Sequence, residues 1–259
     1  MNSKLRRCNV KTILEVQNLC KSFEDTQVLN DISLNVYEGE FLAIMGQSGS
    51  GKSTLLYSIS GMDRPTSGNV LFCGKDISKL DDEKMSEIRL KQMGFIFQHS
   101  YLLKNLSIRD NIVLPGFKAG TLSREQVNQD TDALMAKTGI SSIANHDIKK
   151  VSGGQLQRAA ICRALINQPD ILFGDEATGA LNSSTSREVM DIINTVNTEG
   201  TTVIIVTHDV KVAARAYRVI FLMDGNIHDE LTLGKYEVVE KNKSSREKKL
   251  HEWLEKQGF

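Results

Sequence analysis

The sequence predicts an α/β fold: a mainly parallel sheet covered on both faces by helices, with a helical subdomain inserted into it. Three observations carry this. Strand-like and helix-like runs alternate at both ends of the chain, which is the pattern of a parallel sheet with crossover helices. Runs such as "FLAIM" and "VIIV" are apolar throughout, as strands buried on both faces must be. The stretch from about residue 102 to residue 168 carries helix patterns and little strand.

Taken in order, Ile13–Leu19 ("ILEVQNL") alternates apolar with polar residues and predicts a half-exposed strand. Phe41–Met45 predicts a buried strand. Glycines follow it, and then "KSTLLYSISG" predicts a helix stopped by Gly61. Pro65–Gly68 ("PTSG") is a turn before the short strand "NVLF". Gly94–Gln98 ("GFIFQ") is a strand running into a loop. Ser123–Gly139 is a helix, with Ser123 as N-cap, Glu125 in the first turn and Gly139 at the end. "DILFGD", "TTVIIVTH" and "RVIFLMDG" then restore the strand pattern, with helices between them. The last stretch, Lys235–Phe259, is charged and has no strand signal. It is either one amphipathic helix with Leu250, Trp253 and Leu254 on one side, or a solvated tail.

The totals narrow the function classes. A chain of 259 residues suits one large domain or two small ones. Lys+Arg and Asp+Glu are 32 each, so the formal charge is zero and nothing in it demands nucleic acid or an acidic membrane. Cys8, Cys20, Cys73 and Cys162 are scattered without a CxxC pair, which fits reduced thiols in a cytosolic protein. The N-terminal run "MNSKLRRCNVK" is basic, but no apolar segment of secretory length follows it. The longest apolar runs are strand-sized, so work at a membrane would need another chain to cross it.

Gly46–Thr54 reads "GQSGSGKST" and fits G-x-x-x-x-G-K-[ST] between a strand and a helix, a phosphate-binding P-loop. Gly46, Gly49 and Gly51 leave the backbone N–H groups of the loop, those of Gln47, Ser48 and Ser50 included, free to wrap phosphate oxygens, and the next helix points its positive end at the same anion. Lys52 reaches β- and γ-phosphates, the Ser53 hydroxyl can ligate Mg²⁺, and Thr54 can bind a phosphate oxygen. This predicts a nucleotide site. It also explains two adjacent acids at the end of "ILF", since like charges at a buried strand end need a use. Asp175 is expected on a strand beside the P-loop strand, holding Mg²⁺ through water, with Glu176 reaching past the metal toward an attacking water. A second helix opens at "VSGGQLQRAAICRALI" with a serine and two glycines. It is an ordinary N-cap or a second phosphate cradle; with one cradle already present, the second would serve another subunit's nucleotide.

Together these motifs resemble the ATP-binding subunit of ABC transporters, from about Ile13 to Asp229. The match comprises the P-loop, Gln98 after "GFIF", "VSGGQ" (Val151–Gln155), the acid pair of "ILFGDE" and His208 in "IVTHD". The resemblance implies a P-loop NTPase (RecA-like) core over residues 13–229 with an antiparallel β segment, a helical subdomain at about 102–168 and a C-terminal extension at 230–259. It implies adenine stacking on Phe23 with Val28 beside it, and Gln98 sensing Mg²⁺ and the attacking water. It implies that Ser152, Gly153, Gly154 and Gln155 face the partner's γ-phosphate, that His208 contacts the γ-phosphate, and that Glu176 polarises the water.

The family usually has Pro after the catalytic Glu and Asp at the end of the following loop; here these are Ala177 and Asn182. Ala removes proline's fixed φ, and Asn keeps the hydrogen-bonding shape of Asp without its charge. "GMDRPTSGNVLFCGKDI", "GFIFQHSYLLKNLSIRDNIVLP" and "EATGALNSSTSREVMDII" resemble the subgroup serving macrolide export, lipoprotein release and antimicrobial-peptide resistance, and "GALNS" is most similar to the bacitracin- and lantibiotic-resistance branch. The resemblance implies a homodimer closing on Mg-ATP and a separate permease, with the chain peripheral at the cytoplasmic face of the membrane. Tyr101 and Leu102, just after Gln98, are the expected apolar anchors for that permease, while Leu106 and Ile108 are anchors or core. A soluble ABC ATPase acting on DNA or ribosomes is the competing class; the chain lacks the long coiled coil or fused second ATPase usual there. A division or secretion scaffold of related type, in which ATP gates a partner without moving cargo, is the third reading.

Overall fold

The computed structural model describes residues 11–237 and 240–259, so Cys8 and most of the basic N-terminal run lie outside the described residues. The first sheet is antiparallel. β1 (Thr12–Phe23) pairs with β2 (Thr26–Tyr37) on one side and β4 (Ser67–Phe72) on the other, and β5 (Lys75–Asp76) closes the order β2-β1-β4-β5. The second sheet contains β3 (Phe41–Gly46), β6 (Met93–Phe97), β7 (Ile171–Asp175), β8 (Thr202–Val206), β9 (Arg218–Met223) and β10 (Asn226–Thr232). Its order is β10-β9-β3-β8-β7-β6, parallel throughout except for the β10 edge.

That order corrects one expectation. The acid-bearing strand β7 does not lie beside the P-loop strand β3; β8 runs between them. All five residues of β8 are buried, and it shares the centre of the sheet with β3. Helix α1 (Lys52–Ile59) bridges the gap by crossing over the end of β8.

The core follows the period of two. In β3, Leu42 and Ile44 join the layer between the two sheets, with Leu14, Val16, Phe72 and Phe173. Phe41, Ala43 and Met45 face the other way, onto Val189 and Ile193 of α6 (Ser183–Thr198). A third core fills the helical part with Ile108, Ile112, Val127, Met135 and Ile166. It is built from α3 (Ile108–Ala119), α4 (Arg124–Lys137) and α5 (Gly153–Leu165), while α2 (Asp82–Gln92) precedes β6 and α7 (Val210–Ala213) precedes β9. Ser123 caps α4 by accepting from the Gln126 N–H.

Two strands escape a reading of local pattern. β2 alternates, but its outward Asn30, Asp31 and Asn35 are residues depleted in strands. β10 buries neither Ile227 nor Leu231 fully and is held by pairing with β9. The final helix α8 (Glu240–Lys256) packs on the molecule with Leu250 and Leu254 buried. Arg246 donates to the carbonyls of Ala214, Ala216 and Leu233, and Trp253 donates from Nε1 to Asp229 at 2.8 Å. The bonds to Ala214 and Ala216 satisfy carbonyls just past the end of α7 that no helix continues.

Candidate functional site

The carboxyl ends of β3, β6, β7 and β8 finish at one level. Ile44 and Asp175 both stand opposite Val206, and Phe97 opposite Asp175. Four loops therefore leave the same edge, where open α/β sheets bind ligands. They carry the P-loop, Gln98, the acid pair and His208.

The P-loop conformation depends on glycine. Gly46 has φ +152°, and a Cβ there would stand 2.1 Å from the Leu222 carbonyl oxygen of β9. Gly51 caps α1 in the left-handed region at φ 94°, against Val28. The loop lines a cleft of about 410 Å³ together with Val28, Glu176 and His208. The Lys52 ammonium donates to the Gln47 carbonyl at 2.6 Å, curled over the loop. Burial lowers its pKa, and Glu176 and Asp175 act in the opposite direction.

Asp175 accepts from the Ser53 hydroxyl at 2.9 Å and from the Tyr57 hydroxyl at 2.6 Å. Burial and this bond to Asp175 push the Tyr57 pKa up, so the phenol remains a donor. Among the described residues no cluster of three His, Cys, Asp or Glu side chains could hold a metal. A hydroxyl beside a carboxylate nevertheless fits Mg²⁺, which takes one or two protein oxygens and completes its shell with phosphates and water. Ser53 and Asp175 would hold it, and Gln98 is near.

Glu176 sits in the left-handed region at φ 46°. Its N–H donates to Val206 and its carbonyl accepts from Gly179. The turn aims its carboxylate at His208, Nδ1 to Oε1 2.9 Å. A Cβ added at Gly179 would lie 3.2 Å from both Gln98 Nε2 and Glu176 Oε2, so the amide and the carboxylate flank one small space. Glycine is what leaves that space open.

Some expected residues stand apart. Phe23 is half-exposed at the tip of the β1–β2 hairpin under the Lys21 ammonium, 4.7 Å from its centroid, and does not line the cleft. Ser152, Gly153, Gly154 and Gln155 do not line it either. They open α5, with Ser152 and Gln155 forming a reciprocal capping box. Nothing lies within 4 Å of a Cβ at Gly153, so that backbone presents a bare face; a Cβ at Gly154 would strike Thr185 at 2.3 Å. Asn182 caps α6 by accepting from the Thr185 N–H at 3.0 Å, the bond an Asp would make. Ala177 is buried.

Leu102 corrects another expectation. It is buried in the helical core with Ile108 and Ile112, because the chain turns inward after Tyr101. Tyr101 and Leu103 point outward instead, 65% and 52% exposed. Arg163 holds this loop by donating to the Ser100 and Tyr101 carbonyls, and buried Asn111 bonds Leu103 on both its N–H and its carbonyl. Sequence reasoning also missed Tyr57, whose signal was only its place one turn after Ser53, and Phe259, which lines the P-loop cleft.

A family model described as ABC transporter matches residues 29–179. The lipoprotein-releasing system ATP-binding protein LolD of Leptospira interrogans is 39% identical over 234 residues, 90% of this chain and 97% of that protein. The macrolide export ATP-binding/permease protein MacB of Acinetobacter baylyi is 43% identical over 221 residues, 84% of this chain but 33% of that protein, so the chain spans about a third of this relative. Among solved structures, a dimeric post-hydrolysis state of the ATP-binding cassette MJ0796 bound to ADP and Pi superposes with a TM-score of 0.79 at 36% identity, covering 86% of this chain and 100% of that one.

Replacing Lys52 with Ala is expected to abolish tight ATP binding, since the loop loses the cation nearest the phosphates. Titration with a fluorescent ATP analogue checks this; near-normal affinity would contradict the assignment of the cradle.

Proposed function

The chain belongs to the ABC transporter family and is an ATP-binding cassette ATPase, and on that premise we propose that two copies close head to tail on two Mg-ATP to drive a separate membrane permease. The observation that carries the reading is the split site. The P-loop, Glu176 and His208 line one cleft, while Ser152–Gln155 lie outside it with a bare backbone face. A second copy supplies what each cleft lacks. The dimeric state of the MJ0796 relative supports this arrangement.

In the closed dimer the P-loop N–H groups and Lys52 hold the phosphates, with Val28 beside the nucleotide and Phe23, exposed at the hairpin tip outside the cleft, stacking on a base that projects from it. Mg²⁺, held by Ser53 and Asp175 and sensed by Gln98, would neutralise phosphate charge. Glu176 orients and polarises the attacking water, and His208 holds Glu176 in line while reaching the γ-phosphate. The Ser152, Gly153 and Gly154 backbone and the Gln155-capped helix end stabilise the same phosphate from the other copy. Hydrolysis cleaves the γ-phosphate from the nucleotide, departure of that phosphate removes the group bridging the halves, and the dimer reopens.

The permease reading draws on the relatives, one named as a combined ATP-binding/permease protein. No helix among the described residues is long and apolar enough to cross a membrane. Tyr101 and Leu103, fixed by Arg163 and Asn111 and starting three residues after Gln98, are the anchors for a permease helix at the cytoplasmic face. The work is antimicrobial-peptide resistance or export, favoured by "GALNS" at Gly179–Ser183. Macrolide export or lipoprotein release is the second reading, favoured by the named relatives.

Glu176→Gln is expected to bind ATP normally, to lose about 10²–10⁴ in turnover and to accumulate as an ATP-bound dimer in gel filtration. Normal turnover would mean that another group activates the water. Leu103→Asp is expected to fold and bind ATP but to lose co-purification with its permease from membranes; undiminished recovery would remove this loop from the docking surface. Deleting the chain from its source cell is expected to sensitise it to bacitracin or a lantibiotic. Unchanged peptide susceptibility with impaired lipoprotein release would select the second reading.

A further inference from the structure

Gln157 lies in the second turn of α5, the helix that "VSGGQ" opens, and is only 2% exposed. Its side-chain amide donates twice from Nε2, to the Phe97 carbonyl at 2.9 Å and to the Ala177 carbonyl at 2.7 Å. Two carbonyls can be served together only by an –NH₂ group, so the chemistry fixes the orientation of the amide.

The positions of those carbonyls matter. Phe97 immediately precedes Gln98, and Ala177 immediately follows Glu176. Phe97 and Asp175 form the last registered pair between β6 and β7. Beyond it the two strands part into their loops. Gln157 supplies the next rung from a third element, just where the backbone ladder ends. Glu176 needs such support, because a non-glycine residue at φ 46° is strained and persists only when its surroundings over-determine it. The Val206 and Gly179 bonds hold the Glu176 backbone itself, and Gln157 holds the residue after it.

We propose that Gln157 is a positioning residue that sets Glu176 and Gln98 in register through Ala177 and Phe97, and so ties each copy's own water-activating groups to the helix it offers to its partner. The inference rests on the proposed roles of Glu176 and of the α5 N-terminus. Its consequence is coupling: a displacement of α5 when its first turn meets the partner's nucleotide is transmitted through one buried amide to both loops. Neither loop can shift alone without leaving a buried carbonyl unpaired.

The test uses Gln157→Glu, which keeps the shape but offers at most one O–H donor where two N–H groups are needed, and Gln157→Met, which keeps the approximate volume without polarity. The expected result is an ATP dissociation constant within about two-fold of wild type and a turnover about 10²-fold lower, the cost of a small misplacement of catalytic groups. In the Glu176→Gln background the same substitutions should cost far less than in wild type, because one of the two groups they position is already gone. Unchanged turnover in a folded variant overturns the proposal. So does a full additional loss in the Glu176→Gln background, which would mean that Gln157 acts elsewhere. If both variants melt far below wild type and lose ATP binding, Gln157 is a structural strut and the proposal fails. Normal turnover by Glu176→Gln alone would instead remove the reading of Glu176 on which the inference stands.

Discussion

Two hydrogen bonds to Asp175 hold the site together. Ser53 and Tyr57 belong to the helix that follows the P-loop, and Asp175 ends a strand that is not the P-loop strand's neighbour. Without a link across β8, the phosphate cradle and the acids would be two features on one sheet edge. With it, the hydroxyl and carboxylate suited to Mg²⁺ sit 2.9 Å apart, and the next residue, Glu176, lines the same cleft as the P-loop. Everything further out is arranged around this pair: Glu176 by its left-handed turn, His208 by its bond to Glu176, and Gln98 by strand register with β7.

The chemistry of the site was legible in the sequence where it depends on consecutive residues. The glycines of the P-loop state a backbone requirement, and Gly46 shows how strict it is, with a carbonyl oxygen 2.1 Å from where a side chain would begin. Adjacent Asp175 and Glu176 advertised a use because their pairing is otherwise unfavourable. What depends on long-range pairing was not legible. The order β3-β8-β7 places Thr202–Val206 between segments that precede it by far in sequence, and no local pattern encodes that. The outward Asn and Asp residues of β2 hid a strand that tertiary pairing stabilises. Leu102 and Leu103 are chemically identical neighbours, one buried and one exposed, and only the turn at Tyr101 (φ 45°) decides between them.

The same limit applies to the helix start at Ser152–Gln155. "VSGGQ" could be read as a helix start, and the capping box of Ser152 and Gln155 is that. Its separation from the cleft of its own chain is a three-dimensional fact, and the proposed closed dimer gives that cap a use in the partner's site. The departures from the family pattern are absorbed locally. Asn182 caps α6 as Asp would, and Ala177 is buried with its carbonyl bonded by Gln157. The charge of the usual Asp and the ring of the usual Pro are missing, but the geometry around Glu176 is held by hydrogen bonds that need neither.

The central claim is that each ATP is enclosed by two copies of the chain. Mixing two inactive variants tests it most directly. Lys52→Ala damages the cradle but keeps Ser152–Gln155, while Gly153→Asp keeps the cradle and sets a negative charge on the bare face, where a new side chain meets nothing within 4 Å. A mixed dimer contains one intact composite site. The account predicts ATP turnover in the mixture well above that of either variant alone; a mixture no more active than the sum of its parts would contradict it.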